Sequence, residues 1–327
     1  MPTPAEHDLR PLGRTDRVVT SVAMGCWPIA GMTSLDVDTR SSLATLEAAF
    51  DAGIRHFDTA FCYGAAGESE TLIGRALRTR RDRITIATKG GIHWNASGER
   101  VLDGRPATLK SQCDTSLRRL GTDRVDLLYL HAPDPTIEIE QSADALYRLL
   151  RAGKTAAIGL SNVDVEQAHR FAAVCPVAAI QPHYNLLQRE IEQDLVPFCL
   201  ERRISLMTYW PLMKGLLAGH LRRDHVFAPG DGRAKYPMFR GEEWERNQDF
   251  VDRIRAVATD AGRSVTATVI NWTIHRPGIT SALCGAKRPE QIRESAEAMG
   301  WRLTDDQLAA IDRAIAERGT IVSKSAV

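Results

Sequence analysis

Eight short apolar runs punctuate the chain, and each stops at polar residues or a glycine. They read VVTSVAMG, RHFDTA, ITIATKG, VDLLYLH, AAIGLSN, AAIQPHYN, ISLMTYW and TSALCGA. Runs this short and this apolar suit strands covered on both faces, the condition of a parallel sheet. Between them lie stretches with helical spacing. SSLATLEAAFDAG puts Leu43, Leu46, Ala49 and Phe50 on one stripe and ends at Gly53. SETLIGRAL, ATLKSQCDTSLRRLG, SADALYRLLRAG, VEQAHRFAAV and EIEQDLVPFCLERR repeat the pattern, several of them starting after Ser, Thr or Asp and ending at Gly. The repeated alternation predicts an α/β fold, a (β/α)8 TIM barrel, with a doubly wound open sheet as the competitor. RPLGRTDRVV adds an N-terminal β-hairpin with Gly13 in its turn. PEQIRESAEAMG and TDDQLAAIDRAIAER, the latter capped by Thr304, add extra C-terminal helices. SVTATVINWTIH is rich in β-branched residues, but its length and its place before the last strand assign it to a helix. Met213–Glu242 is the longest loop, of a size usual for a lid or binding loop. No Ser-, Gly- or Pro-rich linker divides the chain, so one domain over 1–327 is expected.

The formal net charge of +1 gives no electrostatic case for nucleic acid or an anionic membrane. The basic cluster Arg78–Arg83 reads as a solvated helix end. Six cysteines lie far apart with no zinc spacing, so no metal site is expected and buried free thiols are the plain reading. The start, MPTPAEHDLR, lacks the basic-then-apolar pattern of a signal peptide, and no apolar run is long enough to span a membrane. The expectation is a cytoplasmic protein.

Active sites of such barrels form where the strands end. The second strand ends on Asp58, with Tyr63 in the loop beyond; the third ends on Lys89 and the fourth on His131. The fifth ends on Ser161 and Asn162, the sixth on Gln181 and His183, the seventh on Tyr209 and Trp210. There is no G-x-S-x-G, P-loop or G-x-G-x-x-G motif. A lysine at a strand end could form a Schiff base, as in an aldolase. Asp beside Lys beside Tyr suggests other chemistry. A carboxylate keeps the ammonium charged, and the ammonium lowers the phenol's pKa, making Tyr63 a general acid for a developing alkoxide. His131 would orient the carbonyl.

GIRHFDTAFCYG, ITIATKGG, VDLLYLHAPDP, GKTAAIGLSN, AAIQPHYNLLQR, LMTYWPLMKGLLAG and GAKRPEQIRES, in this order, resemble the aldo-keto reductases over nearly the full length. The nearest likeness is to bacterial members with a GAKRPEQ-type final motif. The resemblance implies an oxidoreductase binding NADPH/NADP+ on a barrel, with a catalytic tetrad of Asp58, Tyr63, Lys89 and His131. Ser161, Asn162 and Gln181 would hold the nicotinamide carboxamide, and Tyr209 would stack on its ring. Gly25, Trp27, Trp210 and Pro211 would border the cofactor, and Leu212, Gly215, Leu216 and Leu217 would approach its pyrophosphate. Gly285, Ala286, Lys287 and Arg288 precede the helix PEQIRES, whose N-terminus and two cations suit a 2′-phosphate. Gln291, Glu294 and Ser295 would flank the adenosine. Cys284, Ser295 and Trp210 stand where many relatives carry proline, asparagine and a small residue. Trp27, Trp94, His131, Trp210 and Tyr236 are candidate substrate contacts, with Phe239 a further lid contribution. The implied partner is a small carbonyl substrate and the expected state a monomer. A cofactor-sensing regulatory protein on the same barrel is the alternative.

Overall fold

The structure, a computed structural model, describes residues 8–32 and 35–321. The first seven residues, Thr33, Ser34 and the last six lie outside the described residues, and with them most of MPTPAEHDLR and both ends of the expected domain.

The run VVTSVAMG is two strands. Val18–Thr20 (β2) pairs antiparallel with Leu9–Pro11 (β1), and Val22–Gly25 (β3) enters the barrel. The expected hairpin is therefore present. Gly13 turns it with φ +56°, and a Cβ there would lie 2.5 Å from the Ala178 carbonyl oxygen. Only glycine lets the hairpin sit this close. The hairpin closes the barrel floor: Leu12 and Val19 pack with Ala23, Leu127, Tyr129, Ala157 and Met207.

The barrel continues through His56–Asp58 (β4) and Thr85–Gly90 (β5). A second hairpin, Ile92–Trp94 (β6) with Arg100–Leu102 (β7), stands outside it. This hairpin carries no sequence expectation; its strands are too short for period-two alternation to register. Leu127–Leu130 (β8), Ile158–Ser161 (β9), Ala179–Gln181 (β10), Ser205–Tyr209 (β11) and Ile279–Gly285 (β12) complete the cylinder. The order around it is β3, β4, β5, β8, β9, β10, β11, β12, closing back on β3, with every pair parallel. The open doubly wound alternative is excluded by this closure.

Six helices follow the strands as the apolar stripes predict: Thr39–Asp51 (α1), Glu68–Leu77 (α2), Pro106–Leu120 (α3), Ile139–Arg151 (α4), Val165–Ala172 (α5) and Leu195–Arg202 (α6). EIEQDLVPFCLERR is a short 3₁₀ turn followed by α6, not one helix. Asp194 caps α6 by accepting from the Leu195 amide, and Pro197 fits its first turn because no intrahelical donor is needed there. Arg78–Arg83 extends α2 as a 3₁₀ turn with no buried residue, in line with a solvated end.

Two departures concern the C-terminal half. Gly241–Asp260 (α7), which has no counterpart among the sequence expectations, buries Trp244, Asn247, Phe250, Val251 and Ile254. The Met213–Glu242 segment is not a bare loop: it holds 3₁₀ turns at Met213–Ala218, Gly232–Lys235 and Pro237–Phe239. Val265–Ile274 (α8) is the helix expected in SVTATVINWTIH, and all its residues are buried. A helix covered on every side has no polar face, which is why its sequence mimics a strand. Pro289–Ala296 (α9) and Asp305–Arg318 (α10) follow β12, and Thr304 caps α10 in a reciprocal box with Gln307. All six cysteines are buried and free. Among the described residues no helix is long and apolar enough to cross a membrane, and no cluster of metal ligands occurs.

Candidate active site

Parallel pairing sets Asp58 beside Gly25 on one side and Ala87 on the other, so its carboxylate reaches the rim two positions from Lys89. Lys89 is 1% exposed. Its ammonium donates to Asp58 Oδ1, to the Thr59 carbonyl oxygen at 2.8 Å and to the Tyr63 hydroxyl oxygen at 3.5 Å. An ammonium has three donors, and all three are directed here. Asp58 Oδ2 accepts from Gln181 Nε2 at 2.8 Å. The carboxylate is thus divided between a cation from the neighbouring strand and an amide from β10. Nothing in the local sequence indicates this Gln181 contact, because it spans the barrel.

Tyr63 lies in the loop after β4, its ring edge-on to Trp27 at 4.9 Å and to His131 at 5.8 Å. Burial and the nearby Asp58 carboxylate push its phenol well above the usual tyrosine pKa. This corrects the expectation of a lowered value: Lys89's charge is already matched by Asp58, and desolvation dominates. Tyr63 is held protonated, as a donor must be. Burial, Lys89 and Arg100 hold the His131 imidazole well below its ordinary pKa, so it is neutral. His131 Nδ1 lies 3.6 Å from Cys62 Sγ. Burial pushes the Cys62 thiol up to about 12, which removes it as a nucleophile.

The remaining rim residues interlock. Asn162, with a left-handed φ of 58°, donates to the His131 carbonyl oxygen at 2.9 Å and to Ser161 Oγ at 3.1 Å. Its Oδ1 accepts from the Tyr209 hydroxyl at 2.8 Å. Ser161 Oγ donates to the Gln181 carbonyl oxygen. The three residues expected at a carboxamide are therefore together, already bonded to one another and to the tetrad. Trp94 Nε1 donates to the Cys62 carbonyl oxygen at 2.8 Å and props the Tyr63 loop. Trp210 has a φ of 60° and its ring meets Tyr209 at 5.9 Å and Tyr236 at 6.4 Å. Phe239 does not join them; it is buried against Phe227 and Trp244.

A family model described as the aldo/keto reductase family matches residues 21–316. The chain belongs to the aldo/keto reductase family. It is 35% identical to the aldo-keto reductase YhdN of Bacillus subtilis over 87% of this chain and 86% of that one. It is 31% identical to the NADH-specific methylglyoxal reductase of Escherichia coli over 90% and 94%. Among solved structures, a glycerol dehydrogenase from Gluconobacter oxydans matches with TM-score 0.89 and 34% identity, covering 96% of this chain and 97% of that one. Membership makes the protein an oxidoreductase.

The residues expected at a cofactor lie along the rim from β11 to α9. Gly25 and Gly285 pair across β3 and β12, and a Cβ on Gly285 would lie 3.0 Å from the Pro28 ring. Two glycines side by side leave a shallow trough at the rim. Pro211 and Leu212 lead into Gly215, whose φ is 91°, with Leu216 and Leu217 buried behind it. Arg288 stands at the N-cap of α9, exposed and without an acidic partner among the described residues. Lys287 Nζ donates to the Leu35 carbonyl oxygen at 2.6 Å, and its amide to Gln291 Oε1. Glu294 pairs with His220 Nε2 at 2.9 Å and Ser295 Oγ donates to the Gln291 carbonyl oxygen. Ala286 and Cys284 are buried beneath. A free guanidinium at a helix N-terminus beside a glycine trough has the chemistry of a phosphate seat, so these residues fit a phosphorylated dinucleotide.

Proposed function

We propose that this protein reduces small aldehydes or ketones to alcohols with NADPH, in the bacterial branch that carries a GAKRPEQ-type motif, as a cytoplasmic monomer. The observation that carries the reading is the three-way commitment of Lys89 to Asp58, Thr59 and Tyr63. It makes Lys89 a fixed cation behind the Tyr63 phenol. It also disfavours a Schiff-base role, which needs a free amine.

The residues divide the work as follows. Tyr63 donates its proton to the oxygen of the carbonyl as negative charge develops there. Lys89 compensates the phenolate left behind, and Asp58, steadied by Gln181, keeps Lys89 in place. Neutral His131 gives the carbonyl a second hydrogen-bond partner and fixes its orientation. Trp27 and Trp94 wall the pocket and exclude water. When bound, the reduced nicotinamide supplies a hydride for the carbonyl carbon. Ser161, Asn162, Gln181 and Tyr209 would hold that ring, and Gly285, Lys287 and Arg288 the far phosphate. Arg288 and Lys287 favour NADP(H) over NAD(H), although one relative is described as NADH-specific.

The test is NADPH oxidation over a panel of aldehydes, with cofactor binding followed by tryptophan fluorescence. Tyr63→Phe is expected to lose about 10²–10⁴-fold in kcat while binding NADPH as the wild type does. Full turnover in that variant would rule out Tyr63 as the acid. NADPH binding without turnover of any aldehyde by the wild type would favour a sensing role instead. Titration with NADH in parallel reads the cofactor preference.

A further inference from the structure

The β6–β7 hairpin places a cation over this pocket that no tetrad side chain bonds. Directly opposed residues of an antiparallel pair share a face. Trp94 opposes Arg100, and Ile92 opposes Leu102. Ile92, Trp94 and Leu102 pack in one cluster with Ala60, Cys62, Tyr63 and Ala132. Their face therefore turns toward the Tyr63 loop, and Arg100 lies on it. His93 and Val101 take the opposite face. The Arg100 side chain is exposed and makes no hydrogen bond, ion pair or ring contact among the described residues. Its neighbour Glu99 is not its partner; that carboxylate accepts from Asn95 Nδ2 at 3.0 Å. The field of Arg100 is felt at Cys62, His131 and Tyr209, which lie at or just past the ends of three different strands. The rim offers no free carboxylate at the tetrad to answer it, since Asp58 is shared between Lys89 and Gln181.

We propose that Arg100 selects carbonyl substrates that carry a second, anionic group, a carboxylate or phosphate set away from the carbonyl. The carbonyl sits between Tyr63 and His131, the body of the substrate lies along Trp94, and the anion meets the guanidinium at the hairpin. A planar, permanently charged fork suits both oxyanions. This inference rests on the carbonyl-reductase reading.

The test uses two aldehydes of nearly equal shape, 4-carboxybenzaldehyde and methyl 4-formylbenzoate, the second uncharged. The wild type is expected to show the lower KM for the acid, and added salt is expected to narrow the gap. Arg100→Leu is expected to raise KM for the acid about 5-fold, with kcat and the ester's KM little changed. Arg100→Lys is expected to restore part of the preference. Equal turnover of acid and ester by the wild type, or an equal effect of Arg100→Leu on both, overturns the role of Arg100 and leaves the reductase reading standing. Turnover of neither aldehyde, nor of any other in the panel, overturns the reading and this inference together.

Discussion

Lys89 and Lys214 both stand at the rim of the same barrel, and they hold their charges by opposite means. Lys89 comes from the interior of a regular strand and is surrounded by oxygen atoms. Lys214 comes from a bent segment in which Trp210, Met213 and Lys214 all have left-handed φ values of 60°, 45° and 57°. It has no carboxylate partner among the described residues. Its ammonium lies 4.1 Å from the Trp210 ring centre and 4.5 Å from that of Tyr236. Ring faces attract a cation more weakly than a paired carboxylate does, and they do not offset its lost hydration as fully. Burial and Lys235 accordingly bring Lys214 down to about 8. The strand corner fixes a charge for chemistry. The loop corner tolerates one at a cost in backbone strain of the kind that gathers at functional sites.

The sharpest way to break this contrast is to remove the cation at the strand corner. Lys89→Met would leave Asp58, 3% exposed, with Gln181 alone. Stranding a buried carboxylate costs about 3–5 kcal/mol, and urea unfolding should show a loss of that order. Adding Asp58→Asn should recover most of it, because the uncompensated charge is then gone. A Lys89→Met protein as stable as the wild type would mean that the Lys89–Asp58 pair contributes nothing to stability.

A smaller effect separates the loop beside Tyr63 from the pair beneath it. Trp94→Phe keeps the ring but deletes the bond to the Cys62 carbonyl oxygen. Its expected cost is about 1 kcal/mol, read from the same unfolding curves. Cofactor affinity should not move. A larger loss would show that the hairpin holds the Tyr63 loop by packing more than by this one bond.

The two corners were also unequally legible in the sequence. Asp58, Lys89 and His131 end apolar runs, so a barrel places them together without further information. The same logic places Asn162 and Gln181. What they bond to is another matter: Gln181 meets Asp58 across the cylinder, and such a contact leaves no mark on spacing. The sign of the Tyr63 shift was misread for a related reason. Adjacent charges can be read from a sequence, whereas the depth of burial that outweighs them cannot. Beyond β11 the pattern weakens. Trp210 and Tyr236 are brought together by turns whose left-handed residues are not glycine, which sequence rules disfavour. The long helix α7 was hidden because much of its surface is charged, whereas α8, buried on every side and strand-like in composition, was legible from its length and its place before the last strand.

Lys214 supplies the most direct comparison. Its folded value of about 8 lies below the ordinary lysine value of 10.5. Below about pH 8 the side chain is charged whether folded or unfolded, and the folded state carries the full penalty of holding it between two rings. Between pH 8 and 10.5 the unfolded chain still binds the proton and the folded one does not. Stability therefore rises with pH across that window. Lys214→Met removes this dependence. The free-energy difference between wild type and variant should be constant below pH 8 and should shift in favour of the wild type from pH 8 to 10.5. Lys235 bears on the same group and should be tested with it, since Lys235→Met removes part of the repulsion, raises the lower edge of the window and so narrows it. Arg233, close to Gly215, is bidentate with Asp231 and should contribute little. A difference that stays flat, or that moves against the wild type, would mean that the Trp210 and Tyr236 rings stabilise the ammonium outright. The two corners would then differ in chemistry but not in cost.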